Sequence, residues 1–453
     1  MKRVDKLLRN RKGASSLFLA VIMAALILVE CTFVAFVWNL DYALSVNTAL
    51  KTQIETILAD YNRQLFDVYG IYAFTMDDVD DECFYKALEI NGLAPESELG
   101  VAGLSELTAD DLKKVISSYY NYRGPGIALK GLIEGYSAMI LELDEQGIFK
   151  NVGQFMQSPA ADYVSKMIKG ADSAEEWVKK AGDTLNIEEL VEQIADIDSI
   201  RKDYRDATRD LELDIDIDVA DWDGFLESIA SLESTLDLFS DSTPDAMRKF
   251  QTAHYCAYNF DCWYRPDGDG SINGTDFDSI HGSHEADCEY IITGLDRYQS
   301  VIKLGFIVKD ILIAANMLKD YADEKFRNTM EVLGEMISAI ILAVSEGTVK
   351  IDPKIIAFGL TFYCAVVQSI KDYWYVIHGD RAVIFEYDGT KMVTFSYREF
   401  LYLFCLCTPE EDLLERSLEI LTRDYGTLYT GISLEADFRG SVYSSERSYQ
   451  LYE

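Results

Sequence analysis

The chain has 453 residues, with 41 Lys and Arg against 77 Asp and Glu, and a formal charge of −36. Hydrophobic residues make up 49%, enough for a packed core, which excludes a wholly disordered chain. The acidic excess excludes a surface built to bind nucleic acid or anionic lipid, because that attraction needs Lys and Arg.

The charge is unevenly placed. Residues 1–13 hold Lys2, Arg3, Lys6, Arg9, Arg11 and Lys12 against Asp5, a basic head on an acidic body. From Ala14 to Leu40, Glu30 is the one charged residue in 27 positions. About 20 apolar residues in a helix cross the hydrocarbon core. The basic head predicts a cytoplasmic N-terminus, with everything after Trp38 outside. The competing reading is a cleaved signal peptide, whose apolar region runs only about 7–15 residues. This run is longer and its helical pattern continues past it, so an uncleaved single-pass anchor is predicted. An ionisable group in a bilayer is expensive. Glu30 is therefore read as a contact with another membrane helix or assembly subunit, against the plainer reading of a side chain idle near the outer boundary.

Apolar residues then recur at three- and four-residue steps: Ala43, Val46, Leu50, Ile54, Ile57, Leu58, Tyr61, Leu65. This spacing predicts one amphipathic helix, continuous with the anchor to about Val68 and stopped near Gly70. Helical spacing fills 107–202, broken at Gly124-Pro125-Gly126. Residues 210–219 alternate with period two, Asp210, Glu212, Asp214, Asp216 and Asp218 lining one face. A solvated face that discourages edge pairing and a Ca²⁺-responsive surface are both readings of it. Helices resume from Phe225 and again over 291–321. Two very apolar ones follow, about Thr329–Val344 and Pro353–Tyr373, whose uncharged runs are too short to span a bilayer and predict a buried core. Residues 382–395 predict a hairpin turning at Asp388-Gly389. Ile432, Leu434, Ala436 and Phe438 alternate with polar residues as a half-buried strand, suggesting one small antiparallel sheet beside the helices.

The fold class expected is α+β, mainly helical. Its parts are a basic cytoplasmic head (1–13), a transmembrane helix (14–40), an amphipathic stalk (41–70) and a mainly helical ectodomain (71–380). A hairpin, helices and C-terminal strands (381–453) pack on that ectodomain.

The densest chemistry lies within residues 254–288, which hold His254, His281, His284, Cys256, Cys262 and Cys288. Against a Ca²⁺ loop, Asp267, Asp269 and Ser271 read as ligands, Gly270 as the sharp turn, and Asp276 as the closing ligand. Arg265 stands where the first ligand belongs and no Glu closes the loop, so a polar Gly/Asp turn is the alternative. Asn273-Gly-Thr275 is formally a glycosylation sequon. Outside the membrane, a disulfide within Cys256, Cys262 and Cys288 is expected, with connectivity open. A Zn²⁺ site from the same residues matches no standard spacing. Cys364, Cys405 and Cys407 lie in apolar runs and read as buried thiols. No nucleophile elbow, His-Glu-x-x-His or phosphate-binding Gly-Lys loop occurs. Ser300-x-x-Lys303 sits in a helical pattern without its partner motifs. The reading is non-enzymatic, with no cofactor beyond the candidate Ca²⁺.

The basic head, the Lys-Gly before a Ser-containing start, the long apolar helix with Glu30, and the stretch from Leu58 to Phe74 together resemble the TadE/TadG-like pseudopilins of tight-adherence (Flp) pili. The Leu58–Phe74 stretch resembles a Gram-positive branch of that group, in which the pseudopilin start is fused to a large ectodomain of unknown function. The segments Glu289–Gly294 with the helix to Asn316, and Phe395–Glu411, are similar to that ectodomain. The resemblance implies a minor or accessory pilin-like subunit, with other pilin-like subunits or assembly membrane proteins as partners. Prepilin peptidase substrates carry Glu five residues after a cytoplasmic Gly; here that position after Gly13 is Phe18, so an unprocessed subunit is expected. The alternative from another class is a membrane-tethered sensor or ligand-binding ectodomain with 254–288 as its site.

Overall fold

The computed structural model describes residues 11–93, 99–123, 138–139, 141–170, 172–181, 191–210, 244–266, 272–273, 286–387, 391–438 and 440–449. In chain order the elements begin with α1 (Arg11–Ala59), α2 (Arg63–Tyr69), α3 (Glu82–Ile90), β1 (Leu99–Glu106) and α4 (Ala109–Arg123). Next come α5 (Ile148–Met156), α6 (Pro159–Lys169), α7 (Ala174–Lys180), α8 (Val191–Asp210), α9 (Pro244–Asn259), β2 (Arg265–Pro266) and β3 (Ile272–Asn273). The short helix α10 (Asp287–Thr293) and the long helices α11 (Arg297–Ala322), α12 (Glu324–Val344) and α13 (Pro353–Ile377) follow. The chain closes with β4 (Ala382–Tyr387), β5 (Lys391–Phe395), α14 (Tyr397–Cys407), α15 (Glu410–Tyr425), β6 (Tyr429–Phe438) and β7 (Ser441–Ser448). The protein is mainly helical with small antiparallel sheets, and it divides into two compact units, 1–115 with 421–453, and 116–420.

The first unit is built on the C-terminal half of α1. Val46, Ala49, Leu50, Ile54 and Ile57 are buried against Phe84 and Leu88 of α3 and against Ile432, Leu434, Ala436 and Phe438 of β6. The alternation expected in β6 is therefore present, with its apolar side turned to the helix. Gln53 of α1 is also fully buried and works as a clasp: its amide nitrogen donates to Asp80 O at 2.6 Å, and its Oε1 accepts the Phe84 N–H at 2.6 Å. That acceptor satisfies one of the orphan donors at the start of α3, where Asp81 makes no side-chain cap.

Two expectations need correction here. The helix does not run to Val68; it stops at Ala59, and α2 begins afresh at Arg63. Asn62 takes an extended backbone and its side chain accepts the Leu65 N–H at 3.0 Å, an N-cap that starts a new helix. Tyr61 packs edge-on against Phe66 and Tyr72 at 5.5 and 4.9 Å, holding the corner. Gly70 ends α2 in the left-handed region at φ 70°, as the glycine stop predicts. The second correction concerns the sheets. The C-terminal strands and the 382–395 hairpin do not share one: the order β1-β6-β7 makes a three-stranded sheet, and β4-β5 is a separate pair. Strand β1 has no assignment in the sequence reading because a bulge between Val101 and Gly103 interrupts its alternation.

In the second unit α13 is the central helix, packing with α5, α6, α8, α11, α12 and β4. Asp352 caps it by accepting the Lys354 N–H, and Pro353 occupies its first turn, where a missing N–H costs nothing. Sixteen of its residues are buried, and 72% of its most apolar window lies inside the protein. It is a core helix, as its short uncharged run predicts. Close approach of its neighbours depends on small residues: Gly334 of α12 faces Pro353 and Ala357, and Gly359 faces the ring of Phe155. The turn of the β4–β5 hairpin, Asp388-Gly389, lies outside the described residues, as do 211–219, the 124–126 break and the first residues of the expected helix from Phe225.

Candidate functional site

Two regions carry chemistry beyond packing. The first is the N-terminal half of α1. From Ser16 to Asp41 every residue is exposed, and the most apolar 18-residue window of the helix has a mean hydropathy of 2.7 with none of it covered. Length and composition suit a membrane span and an export signal alike. Glu30 lies within this stretch, exposed, between Val29 and Cys31. Thr32 returns its hydroxyl to Leu28 O at 2.5 Å, so this side-chain donor is met within the helix.

The second region is a buried polar centre in the second unit, where α10 meets α14. Glu289 of α10 has no exposed surface. Its Oε1 accepts the Trp263 N–H at 2.9 Å and the Tyr397 O–H at 3.0 Å, while Oε2 has no partner. Burial pushes its carboxyl up to about 7, against the pull of those two donors and of Arg398. Tyr264 packs edge-on to Tyr397 at 5.0 Å and shares a hydrogen bond with Tyr373 of α13. The Tyr373 hydroxyl occupies space that a side chain at Gly305 would take, lying 2.7 Å from where its Cβ would be. Arg416 closes the same region, donating to Ile291 O and Ile292 O at 2.8 and 3.0 Å across the end of α10. Asp287 is held by Arg297.

The residues singled out in the sequence are distributed as follows. Asp267, Asp269, Ser271 and Asp276, the candidate Ca²⁺ ligands, lie outside the described residues, as do His281 and His284. No cluster of three or more metal-ligating side chains occurs among the described residues. His254 is a structural histidine. Its Nδ1 is 2.6 Å from the Tyr120 hydroxyl, its ring stacks on Tyr258 at 4.3 Å, and burial lowers its pKa. The expected disulfide within Cys256, Cys262 and Cys288 is not formed; all three are buried free thiols. Their partners explain why. Cys256 Sγ meets Ser417 Oγ at 3.5 Å, Cys262 Sγ meets Tyr264 O at 3.5 Å, and Cys288 hydrogen-bonds to Cys405 of α14. Burial pushes the Cys256 thiol up to about 12, the opposite of what a reactive thiol needs. Ser300 is consumed by the start of α11, bonding Thr293 Oγ1 at 2.6 Å and Asp296 O at 2.9 Å.

Sequence reasoning missed Glu289 and Lys309. The available signal was an acidic or basic residue inside an apolar face, which the abundance of charge elsewhere conceals. Lys309 of α11 is nearly buried, its Nζ 4.5 Å from the centroid of Phe306 and 5.2 Å from that of Tyr373. Burial lowers its pKa to about 8. The folded value lies below the unfolded one, so the penalty is full below about 8 and vanishes above the ordinary 10.5. Such a shift is worth about 3 kcal/mol, against about 1 kcal/mol of cation–π attraction. Lys309→Met is therefore expected to stabilise the protein by about 2 kcal/mol at pH 7, with the gain fading between pH 8 and 10.5. Denaturant titrations of both proteins across that range check it; an unchanging difference would refute the buried-charge account.

A cleft of about 500 Å³ lies between α8 and α12, lined by Glu192, Asp196, Glu324, Lys325, Val332 and Leu333 among others. Comparison with protein-family models, curated proteins and solved structures finds no match to this chain.

Proposed function

We propose that this protein is a membrane-anchored, pilin-like accessory subunit of a tight-adherence type filament system, acting in fibre assembly or surface attachment rather than catalysis. One observation carries the reading: a single unbroken helix, 49 residues long, is bare and apolar in its first half and forms the core of a folded unit in its second. Such a helix couples a membrane segment rigidly to an extracellular body, which is what an assembling subunit needs and a cleaved leader does not. Glu30 would contact a neighbouring membrane helix. The basic head supports a cytoplasmic N-terminus. The similarity of the 289–316 and 395–411 segments to pseudopilin ectodomains supports the same reading, and those segments pack together around Glu289.

Deletion of the gene, followed by electron microscopy of the cell surface, is the direct test. Fibres reduced in number or length, restored by the intact gene and not by one encoding the chain from residue 41, are the expected result. Unaltered fibres and unaltered attachment would refute the assignment.

A further inference from the structure

Three helices that pack on one another in the second unit, α9, α10 and α14, each place a cysteine in their shared interior: Cys256, Cys288 and Cys405. All three are fully buried. Cys256 is engaged elsewhere, its Sγ 3.5 Å from Ser417 Oγ. Cys288 and Cys405 have each other, joined side chain to side chain by a hydrogen bond. The surrounding contacts hold the pair in place. Tyr397 of α14 donates to Glu289 at 3.0 Å, and Thr408, just past the end of α14, donates to Ile292 O at 3.5 Å. On the other side, the Cys288 N–H donates to Asp261 O at 2.9 Å.

The other cysteines are placed differently. Cys262 Sγ meets Tyr264 O. Cys83 belongs to the first unit, and Cys31 to the bare apolar half of α1. Cys407 is half-buried and, two residues beyond Cys405 on the same helix, lies about 200° round its axis. The fold therefore singles out Cys288 and Cys405 as a pair, which no spacing along the chain suggests.

We propose that Cys288 and Cys405 form a disulfide in the exported protein, stapling α10 to α14. The inference rests on residues beyond Asp41 lying outside the membrane, as in the reading above, where thiols meet oxidants. Two hydrogen-bonded sulfurs need only a small side-chain rotation to reach the bonding distance of about 2.05 Å. The step is an exchange with a disulfide-bearing oxidant, a thiol oxidoreductase by class. The thiolate of one cysteine attacks the oxidant's disulfide, giving a mixed disulfide and one oxidant thiol. The thiolate of the other cysteine then displaces the oxidant's second sulfur. Two protons and two electrons leave the cysteines, and the oxidant keeps them as its dithiol. In the closed fold the hydrogen bond to Cys405, with burial, holds the Cys288 thiol well above its ordinary range, and burial raises that of Cys405. Thiolate is then scarce, so the bridge forms while the chain folds, before α14 covers Cys288. The same burial afterwards shields it from reductants. The bridge closes a loop of roughly 120 residues, a length that constrains the unfolded chain strongly.

Two-step thiol labelling of the full-length protein tests this. Cells are quenched in acid, and the protein is taken from its membranes and alkylated in denaturant without reductant. It is then reduced and alkylated with a second reagent of different mass. Peptide mass spectrometry is expected to find Cys288 and Cys405 carrying the second reagent several-fold more than the first, and linked as one peptide pair when reduction is omitted. Cys256 and Cys262 are expected to carry the first. Cys288 and Cys405 carrying the first reagent, or Cys288 linked to any other cysteine, would overturn the assignment. An amine reagent that cannot cross membranes, applied to intact cells, separates the two levels of failure through Lys86 and Lys371, both exposed. Labelled lysines with free Cys288 and Cys405 remove the bridge alone, whereas unlabelled lysines with free thiols remove the exterior placement and the bridge together.

Discussion

Replacing Glu289 with alanine is expected to destabilise the second unit by roughly 3–4 kcal/mol at pH 5, and by clearly less at pH 8. At the lower pH the carboxyl is neutral and serves Trp263 N–H and Tyr397 O–H. Its loss leaves two buried donors unmet, each costing about 1–3 kcal/mol, and opens a cavity. At the higher pH the intact protein carries a buried charge with one oxygen unpartnered, so it has less to lose. The folded pKa of about 7 lies above the ordinary 4.5. The side chain's stabilising contribution is therefore full below about 4.5 and is lost as pH rises through about 7, a span worth about 3 kcal/mol. Glu289→Gln keeps an acceptor and cannot ionise. The intact protein should lose that amount relative to the Gln variant between pH 4 and 8. Urea denaturation followed by tryptophan fluorescence at several pH values measures both differences. A gap between intact and Gln proteins that stays flat with pH would sink the account of Glu289 as a buried, proton-binding acceptor.

Gly334→Ala should destabilise despite improving helix propensity. A Cβ there would overlap Pro353 O and lie 2.9 Å from both Cβ and N of Ala357. Two of these three atoms belong to backbone, so relief requires α12 and α13 to separate. Overpacking of that kind costs about 3 kcal/mol, against about 1 kcal/mol gained from replacing a helical glycine. The net loss is about 2 kcal/mol. Gly153, in α5, is the internal control: nothing lies within 4 Å of its Cβ position. Gly153→Ala should therefore stabilise by up to about 1 kcal/mol. Thermal melts of the two variants should move in opposite directions. If both rise, the α12–α13 contact is looser than the geometry described above.

The two cases differ in how much of them can be seen without the fold. Gly334 lies in an apolar helical run that the sequence marks as buried, but which helix presses on it is not a local property. Glu289 sits with Cys288 just ahead of the helix expected over 291–321, in a short helix of its own that ends at Gly294, and its acceptor role depends on Trp263 and Tyr397, 26 and 108 residues away. The disulfide expectation failed for the same reason. Proximity in sequence grouped Cys288 with Cys256 and Cys262, whereas the fold gives it Cys405 as hydrogen-bond partner.

The break at Asp60–Asn62 is a narrower failure. An apolar stripe continues through it in projection, so periodicity sees one helix, while the Asn62 cap and the Tyr61 corner compete locally and win. Strand β1 escaped because its partner β6 is more than 300 residues distant and its bulge erases the period-two signal.

What the chain's own residues determined is everything that repeats within one or two turns. The bare apolar half of α1, the buried alternation of β6, the stop at Gly70 and the core character of α13 are all written at spacings of two to four residues, where side chains on one face must share one environment. What only tertiary structure decided is which faces meet: Gln53 with the start of α3, β1 with β6, Glu289 with Tyr397, Gly334 with Pro353. Those pairings are chosen by the burial of polar groups and by close packing between elements far apart in the chain, and no local period encodes a distant partner.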